Sequence, residues 1–492
     1  MHKHTVGLFL GLLALVGGMN ARSAGAQITL AQALQQADHS AYANREASAT
    51  ADAQRARAIA PLQGILPDVR LEAGYARTTD PIGVFGNKLR QGIATQADFD
   101  PARLNSPAAM TNYQGGVVVE QPLFNADAWA GRTAARRGAD ASQARAIWTR
   151  LSIRVDVVRA YYGAVLASER TVTLRAAARS AHARVVQTDA MVRQGMVTRS
   201  DALLASVRAG DIDAQLAEAE GGVETARRQL AMLLGLPETE LLGRSAAPSS
   251  LPSTARIRAV VEEDTAATPT TREDVRGAQL QSASAVADAL RARTTYLPRI
   301  NSFVRYDWNA PNRPFDGERN WTVGIMAAWN PFGNAARISD MRTTSAQASA
   351  VKAQADAAEA QASLDVAQTR TALSVALIRL GIAEQSVAQS TEAHRIISRK
   401  YEGGLASIVD LLDAQSVEMN SALALSDARY RVIVAAAERR RALGGDPASL
   451  TALDQGGTPT TAKQSAANSD PSVVGLEATS PARPEHFRDP QS

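Results

Sequence analysis

Four landmarks in the sequence recur at a single spacing. Pro122 in EQPLFN and Pro331 in AWNPFGN lie 209 positions apart, as do Gly195 and Gly404, Asp201 and Asp410, and the pairs Leu234-Gly235 and Leu443-Gly444. An offset held over so long a stretch marks an internal duplication, so the fold is built from two like units. Each copy has the same order of parts. A helical lead-in (Leu30 to Ala60; Arg272 to Thr295) runs into Leu-Pro, at Leu66-Pro67 and at Leu297-Pro298. Two short alternating segments follow, then a proline turn, a very long helical run, a glycine break and a second helix.

The long runs extend from Ala126 to Gln194 and from Ala335 to Glu402. At about 1.5 Å per residue each would be roughly 100 Å long. Their apolar residues form a narrow seam. Leu151, Val158, Val165 and Val172 recur every seven residues, with Val155 and Tyr162 between; Val366, Leu373, Leu380 and Val387 do the same, with Leu377 between. That recurrence predicts coiled-coil packing of neighbouring helices, which abundant alanine allows to approach closely.

The alternating segments have a different period. Val69, Leu71, Ala73 and Tyr75 share one face of the first, which YQGGVVVEQP follows. In RINSFVRYDW, Ile300, Ser302, Val304, Tyr306 and Trp308 share a face, opposite Asn301, Phe303, Arg305 and Asp307. In WTVGIMAAWN, Trp321, Val323, Ile325, Ala327 and Trp329 line one face. Period-two segments of about ten residues are the signature of transmembrane β-barrel strands, and Trp308, Trp321 and Trp329 are candidate membrane-interface aromatics. Four strands cannot close a barrel, and an open edge cannot survive in lipid, so the chain must borrow strands from other copies of itself. A soluble periplasmic coiled-coil scaffold or adaptor without a pore is the alternative that the helical seams alone would permit.

Residues 1–26 read as a signal peptide, with Val6 to Val16 as its apolar core and Ala24-Gly25-Ala26 as the cleavage site. No later run is apolar for long enough to predict a membrane-spanning helix. The repeats are placed at 27–236 and 272–445. Residues 237–271 are expected to be a linker, 446–492 a polar, disordered tail, and Asp80 to Pro107 a long exposed loop. Cysteine is absent and the net charge is only +4, which removes thiol chemistry and argues against nucleic acid as a partner. The six histidines are scattered without metal-ligand spacing, and no phosphate loop or catalytic grouping stands out. No cofactor, metal or enzymatic activity is expected.

The duplicated L-P, strand-strand, Q/N-P units, the stretch YEGGLASIVDLLDAQ and the openings ITLAQALQQA and TREDVRGAQLQSASAVADALRA resemble the TolC-type outer-membrane efflux protein family from Gln27 to Gly445. The resemblance implies a mainly α fold with a membrane β-barrel. It implies a homotrimer in the outer membrane of a Gram-negative cell, with a helical barrel crossing the periplasm. It further implies a passive exit channel of a tripartite efflux or type I secretion system, docked to a periplasmic adaptor and an inner-membrane RND or ABC transporter. Gly195, Gly403 and Gly404 would mark the periplasmic tips that the adaptor contacts.

The resemblance places Asp410 and Asp413 at an acidic pore constriction. Ser407 to Asp410 and Thr198 to Asp201 also have capping-box spacing, so capping and pore roles stand side by side for Asp410, and capping stands ahead for Asp201. Asp413 lies beyond the first turn, where capping has no use for it. Tyr401 matches a family tyrosine that clasps the closed tip, with Asp201 as the expected acceptor; a simply packed tyrosine is the other reading. Ala406 stands where the family has a restraining arginine, and Arg193 or Arg199 is the candidate replacement.

Overall fold

The computed structural model describes residues 28–237, 250–265, 270–313, 317–332 and 335–454. The expected signal peptide and residues 455–492 of the expected tail lie outside them. Helices α1 (Leu30–Ser40) and α2 (Tyr42–Arg57) are divided at Ala41, whose ψ of 129° interrupts the predicted single lead-in. Strand β1 (Asp68–Thr78) leads through short helices α3 (Pro81–Arg90) and α4 (Pro101–Asn105) to β2 (Met110–Phe124). Then come α5 (Ala126–Arg193), α6 (Arg199–Leu234), α7 (Thr254–Thr265) and α8 (Glu273–Thr294). Strands β3 (Arg299–Ala310) and β4 (Glu318–Ala328) precede α9 (Ala335–Glu402) and α10 (Ile408–Ala442). The fold is mainly helical with one four-stranded antiparallel sheet, as expected.

The seam residues pack where the helices meet. Val155, Val158, Tyr162 and Val165 are buried on α5, and Leu373 and Leu380 on α9. Val172, the next heptad position, is exposed, because a straight helix turns about 20° away from its seam per heptad. Ala348, Ala355 and Ala362 extend the buried line along α9 at seven-residue intervals. One stretch of α9 is long and apolar enough to cross a bilayer by length and composition, but the helix runs for 68 residues, far more than the roughly 20 that a bilayer needs.

The main core gathers α1, α5, α7, α9, α10 and the end of α6. Three of the predicted unstructured regions are corrected here. Residues 250–265 of the expected linker hold α7, whose Ile257, Val260 and Val261 are buried with Leu251. The expected loop after Asp80 contains α3, α4 and a 3-10 turn over Gln96–Phe99. The first residues of the expected tail form a 3-10 turn, Pro447–Leu453, that buries Pro447, Leu450 and Leu453. Their three-residue spacing matches the period of that turn. Asp454, just after it, accepts hydrogen bonds from the hydroxyls of Tyr161 (2.9 Å) and Tyr162 (2.8 Å) and from the Leu30 backbone N–H (2.8 Å). Burial pushes both tyrosine hydroxyls far above their ordinary pKa. Arg154 ties the same region together by pairing with Asp38 and Asp446. The guanidinium groups of Arg272 and Arg441 lie over the Trp148 ring, 4.8 and 5.2 Å from its centroid, two cation–π contacts on one side chain.

The strand order is β1-β2-β3-β4, so β1 and β4 are open edges. Register pairs Leu71 with Val117, Val117 with Tyr306 and Tyr306 with Trp321, which puts all four on one face. That face also carries Val69, Tyr75, Val304, Val323 and Ile325, all exposed. The opposite face carries Arg70, Glu72, Glu120, Arg305 and Asp307, with Arg70 bridging to Glu120 at 3.2 Å. Pro122, expected in a turn, lies inside β2 at a bulge, one of the few places a strand tolerates proline. Trp329 lies one residue beyond β4, exposed, with its indole N–H donating to the Tyr296 carbonyl at 3.0 Å. Trp321 is 72% exposed, whereas Trp308 is half-buried beside Gly115.

A Cβ on Gly115 would stand 2.3 Å from Trp308 Nε1, whereas one on Gly74 would meet its nearest neighbour at 3.9 Å. Gly115→Val should therefore destabilise the sheet by about 1–3 kcal/mol through overpacking. Gly74→Ala should be close to neutral in thermal unfolding of the detergent-solubilised protein.

Candidate tip constriction

Both long helices end by the same local chemistry. Gly195 (φ 70°) and Gly404 (φ 72°) adopt the left-handed conformation after α5 and α9. At the first turn, Gly195 N–H donates to Val192 O (3.0 Å) and Met196 N–H to Met191 O (3.0 Å). At the second, Gly404 N–H donates to Tyr401 O (3.0 Å) and Leu405 N–H to Lys400 O (2.7 Å). These are Schellman motifs, in which glycine satisfies the last carbonyls without a Cβ penalty. Three residues after each glycine a hydroxyl starts the return helix. Thr198 caps α6 and Ser407 caps α10, each in a full capping box with Asp201 or Asp410.

Asp410 Oδ2 accepts from the Ser407 N–H (2.9 Å) and hydroxyl (2.7 Å). The Ser407 hydroxyl, followed by its backbone N–H, holds the Asp410 carboxyl below its ordinary pKa. The capping contribution is complete above the ordinary carboxylate value and is lost as pH falls through the lower folded-state value. Asp413 is exposed and has neither a hydrogen-bond nor an ion-pair partner among the described residues. Both acids face away from Ile408, Leu411 and Leu412, which bury the other side of α10.

Tyr401 belongs to that buried cluster, with Met191, Ile397 and Ala406 against it. Its hydroxyl donates to Met191 Sδ at 3.7 Å, not to Asp201 as expected. Asp201 is occupied by the Thr198 N–H (3.0 Å) and hydroxyl (2.8 Å), so its local cap takes precedence over the distant tyrosine. Desolvation raises the Tyr401 pKa, and a thioether is a weak acceptor; the contact is chiefly packing. Ala406 contributes to the same packing. Arg193 and Arg199 are exposed and have no partner among the described residues.

Several ties were not evident from the sequence. Arg208 on α6 donates through Nε (3.1 Å) and Nη2 (2.6 Å) to Ser416 Oγ on α10. Gln415 donates to Ser180 Oγ on α5 at 3.1 Å. Together with Tyr401–Met191 they join the second helical hairpin to the first. Within each hairpin a histidine meets an acid, His182 with Asp213 (2.9 Å) and His394 with Glu418 (2.5 Å).

Helical hairpins of this length beneath a sheet with one apolar, exposed face define a membrane channel protomer. The sequence model described as "Outer membrane efflux protein" matches residues 30–236 and 270–445, and the chain belongs to that family. It is an outer-membrane protein that extends into the periplasm, a channel and not an enzyme. No curated relative matches by sequence. Among solved structures, VceC of Vibrio cholerae is 19% identical with a TM-score of 0.71, over 85% of this chain and 96% of its own. The Campylobacter jejuni CmeC outer membrane channel is 16% identical with a TM-score of 0.71, over 90% and 94%. The open state of the Neisseria gonorrhoeae MtrE outer membrane channel is 19% identical with a TM-score of 0.67, over 85% and 89%. At these identities the likeness is one of fold.

The glycines give a local test. A Cβ on Gly404 would meet nothing within 4 Å, so Gly404→Ala should cost about 1 kcal/mol through its left-handed backbone alone. Faster hydrogen exchange at the Leu405 amide would report that cost, and Gly403→Ala, whose φ is not left-handed, should leave the amide unchanged.

Proposed function

We propose that three copies of the chain join edge to edge into one outer-membrane barrel of about twelve strands. In this reading the apolar sheet face meets lipid, with Trp308, Trp321 and Trp329 toward its interfaces, and the polar face lines the bore. The observation that carries it is the open four-stranded sheet, apolar on one side and unpaired at both edges. Lipid offers no partner for those edge groups, so only further strands can satisfy them. Val375, Ile378 and Ile382 form an exposed apolar stripe along α9, which would give the copies a second contact at helix level.

The trimer would act as a passive exit duct, with a periplasmic adaptor gripping the tips at Gly195, Gly403 and Gly404. An inner-membrane RND or ABC pump would supply the energy, for efflux or type I secretion. Asp410 and Asp413 from the three copies would ring the axis and favour cations. Opening would draw the α9–α10 hairpin away from α5–α6, breaking Arg208–Ser416, Gln415–Ser180 and Tyr401–Met191. The chain would thus close its own tip without the Tyr401–Asp201 clasp.

Particle images of the detergent-extracted protein should show threefold symmetry; a water-soluble monomer would refute the assembly. For the acids, replacing both Asp410 and Asp413 by Asn should lower cation preference several-fold in single-channel recordings. Unchanged selectivity would leave Asp410 as a helix cap and nothing more.

A further inference from the structure

The β1–β2 connection carries helices of its own at the rim of the sheet farthest from the long helices. Val84 is buried inside this small cap, and the Phe85 and Phe99 rings meet edge-on with centroids 5.3 Å apart. Lys88 Nζ lies 2.6 Å from Asp98 Oδ1. Asp98 also accepts from the Thr95 N–H (2.8 Å) and hydroxyl (3.0 Å). Lys88, followed by the two Thr95 donors, holds the Asp98 pKa at about 2, so the pair stays formed until pH falls that low. The segment is a preformed piece of structure rather than a slack loop.

Its position relative to the sheet follows from register. Gln91, 4% exposed, donates through Nε2 to Asn112 Oδ1 (2.8 Å) and to the Thr111 carbonyl (3.1 Å). Asn112 passes the chain on, its Nδ2 donating to Asn309 Oδ1 at 2.9 Å. Asn112 pairs with Ala76, one step from the Tyr75–Tyr113 pair of the apolar face, so it lies on the polar face. Asn309, one step from Trp308, is on that same polar face, as is its partner Glu318 on β4. A Cβ on Gly92 would stand 3.0 Å from Glu318 Cγ. Gln91 thus fastens the cap to the polar side of β2 and, through Asn112, to β3, with Gly92 close over Glu318 of β4. Buried amides that hydrogen-bond to one another in this way hold a segment in one place.

We propose that residues 81–105 form a ledge over the outer mouth of the channel, latched by the Gln91–Asn112–Asn309 amide chain, and that this ledge limits the size of solute passing the exit. The inference rests on the polar face being the bore. The absence of cysteine makes it directly testable, because Thr322→Cys places a single thiol on the polar face of β4, opposite Arg305. Intact cells would be labelled from outside with a small maleimide and with a maleimide bearing a long polyethylene glycol chain. The long reagent should react severalfold more slowly than the small one. Adding Gln91→Ala should bring the two rates together, and replacing residues 81–105 by a short Gly-Ser turn should abolish the discrimination. An unchanged rate for the long reagent in both variants would overturn the ledge. Discrimination lost only in the replacement would overturn the amide latch. If even the small reagent fails to reach the thiol in every variant, the polar face is not the bore.

Discussion

The backbone N–H and C=O groups along the outer edges of β1 and β4 constrain everything else in this protein. Among the described residues they have no strand partners, and a hydrocarbon medium supplies none. Because the register gathers Val69, Leu71, Tyr75, Val304, Tyr306, Trp321, Val323 and Ile325 on one face and most strand charges on the other, the sheet is suited to lipid on one side and water on the other. A helical layer cannot cover that apolar face, since α5, α8 and α9 all leave the sheet at one end and pack on one another. On the proposed reading the sheet reaches a stable state within a closed wall of several copies, and the long helices would inherit its circular arrangement.

Beneath the sheet, side-chain size sets how closely the helices approach. Alanine lines α9 near the sheet, whereas leucine, valine and tyrosine fill the seam farther down, where α1, α7 and the 3-10 turn before Asp454 thicken the wall. Near the tips the packing thins to small clusters joined by isolated polar contacts such as Arg208–Ser416. Fewer buried apolar contacts mean a lower cost of local separation. The molecule is thus firmer at its girth than at its tips, a gradient that on the proposed reading suits a duct opening at that end.

Periodicity was the legible part of the fold. Seven-residue recurrence located the helical pairs, and period two located β1, β3 and β4 with their correct faces. The tip geometry was equally plain, because Gly404 and Ser407 specify a turn through chemistry confined to a few residues. Contacts between distant residues left no such trace. Nothing around Asp454 advertises a partner at Leu30, and the polar composition of 446–454 reads as a tail until Tyr161 and Tyr162 are placed beside it. The same limit explains Tyr401: Asp201 was a reasonable acceptor by position, but Thr198, three residues away, already held it. The segment after Asp80 looked slack because it is rich in glycine, asparagine, aspartate and proline; its order rests on contacts such as Lys88–Asp98 and Gln91–Asn112.

The bond from Leu30 N–H to Asp454 joins positions separated by 424 residues. Loop-closure entropy makes such a link among the last to form. A nascent chain lacking residue 454 cannot complete its central core, whatever helices it has already wound. For a polypeptide that must leave the cytoplasm before it reaches its membrane, a core that closes only when Leu30 meets Asp454 stays open until nearly all of its helices have been made.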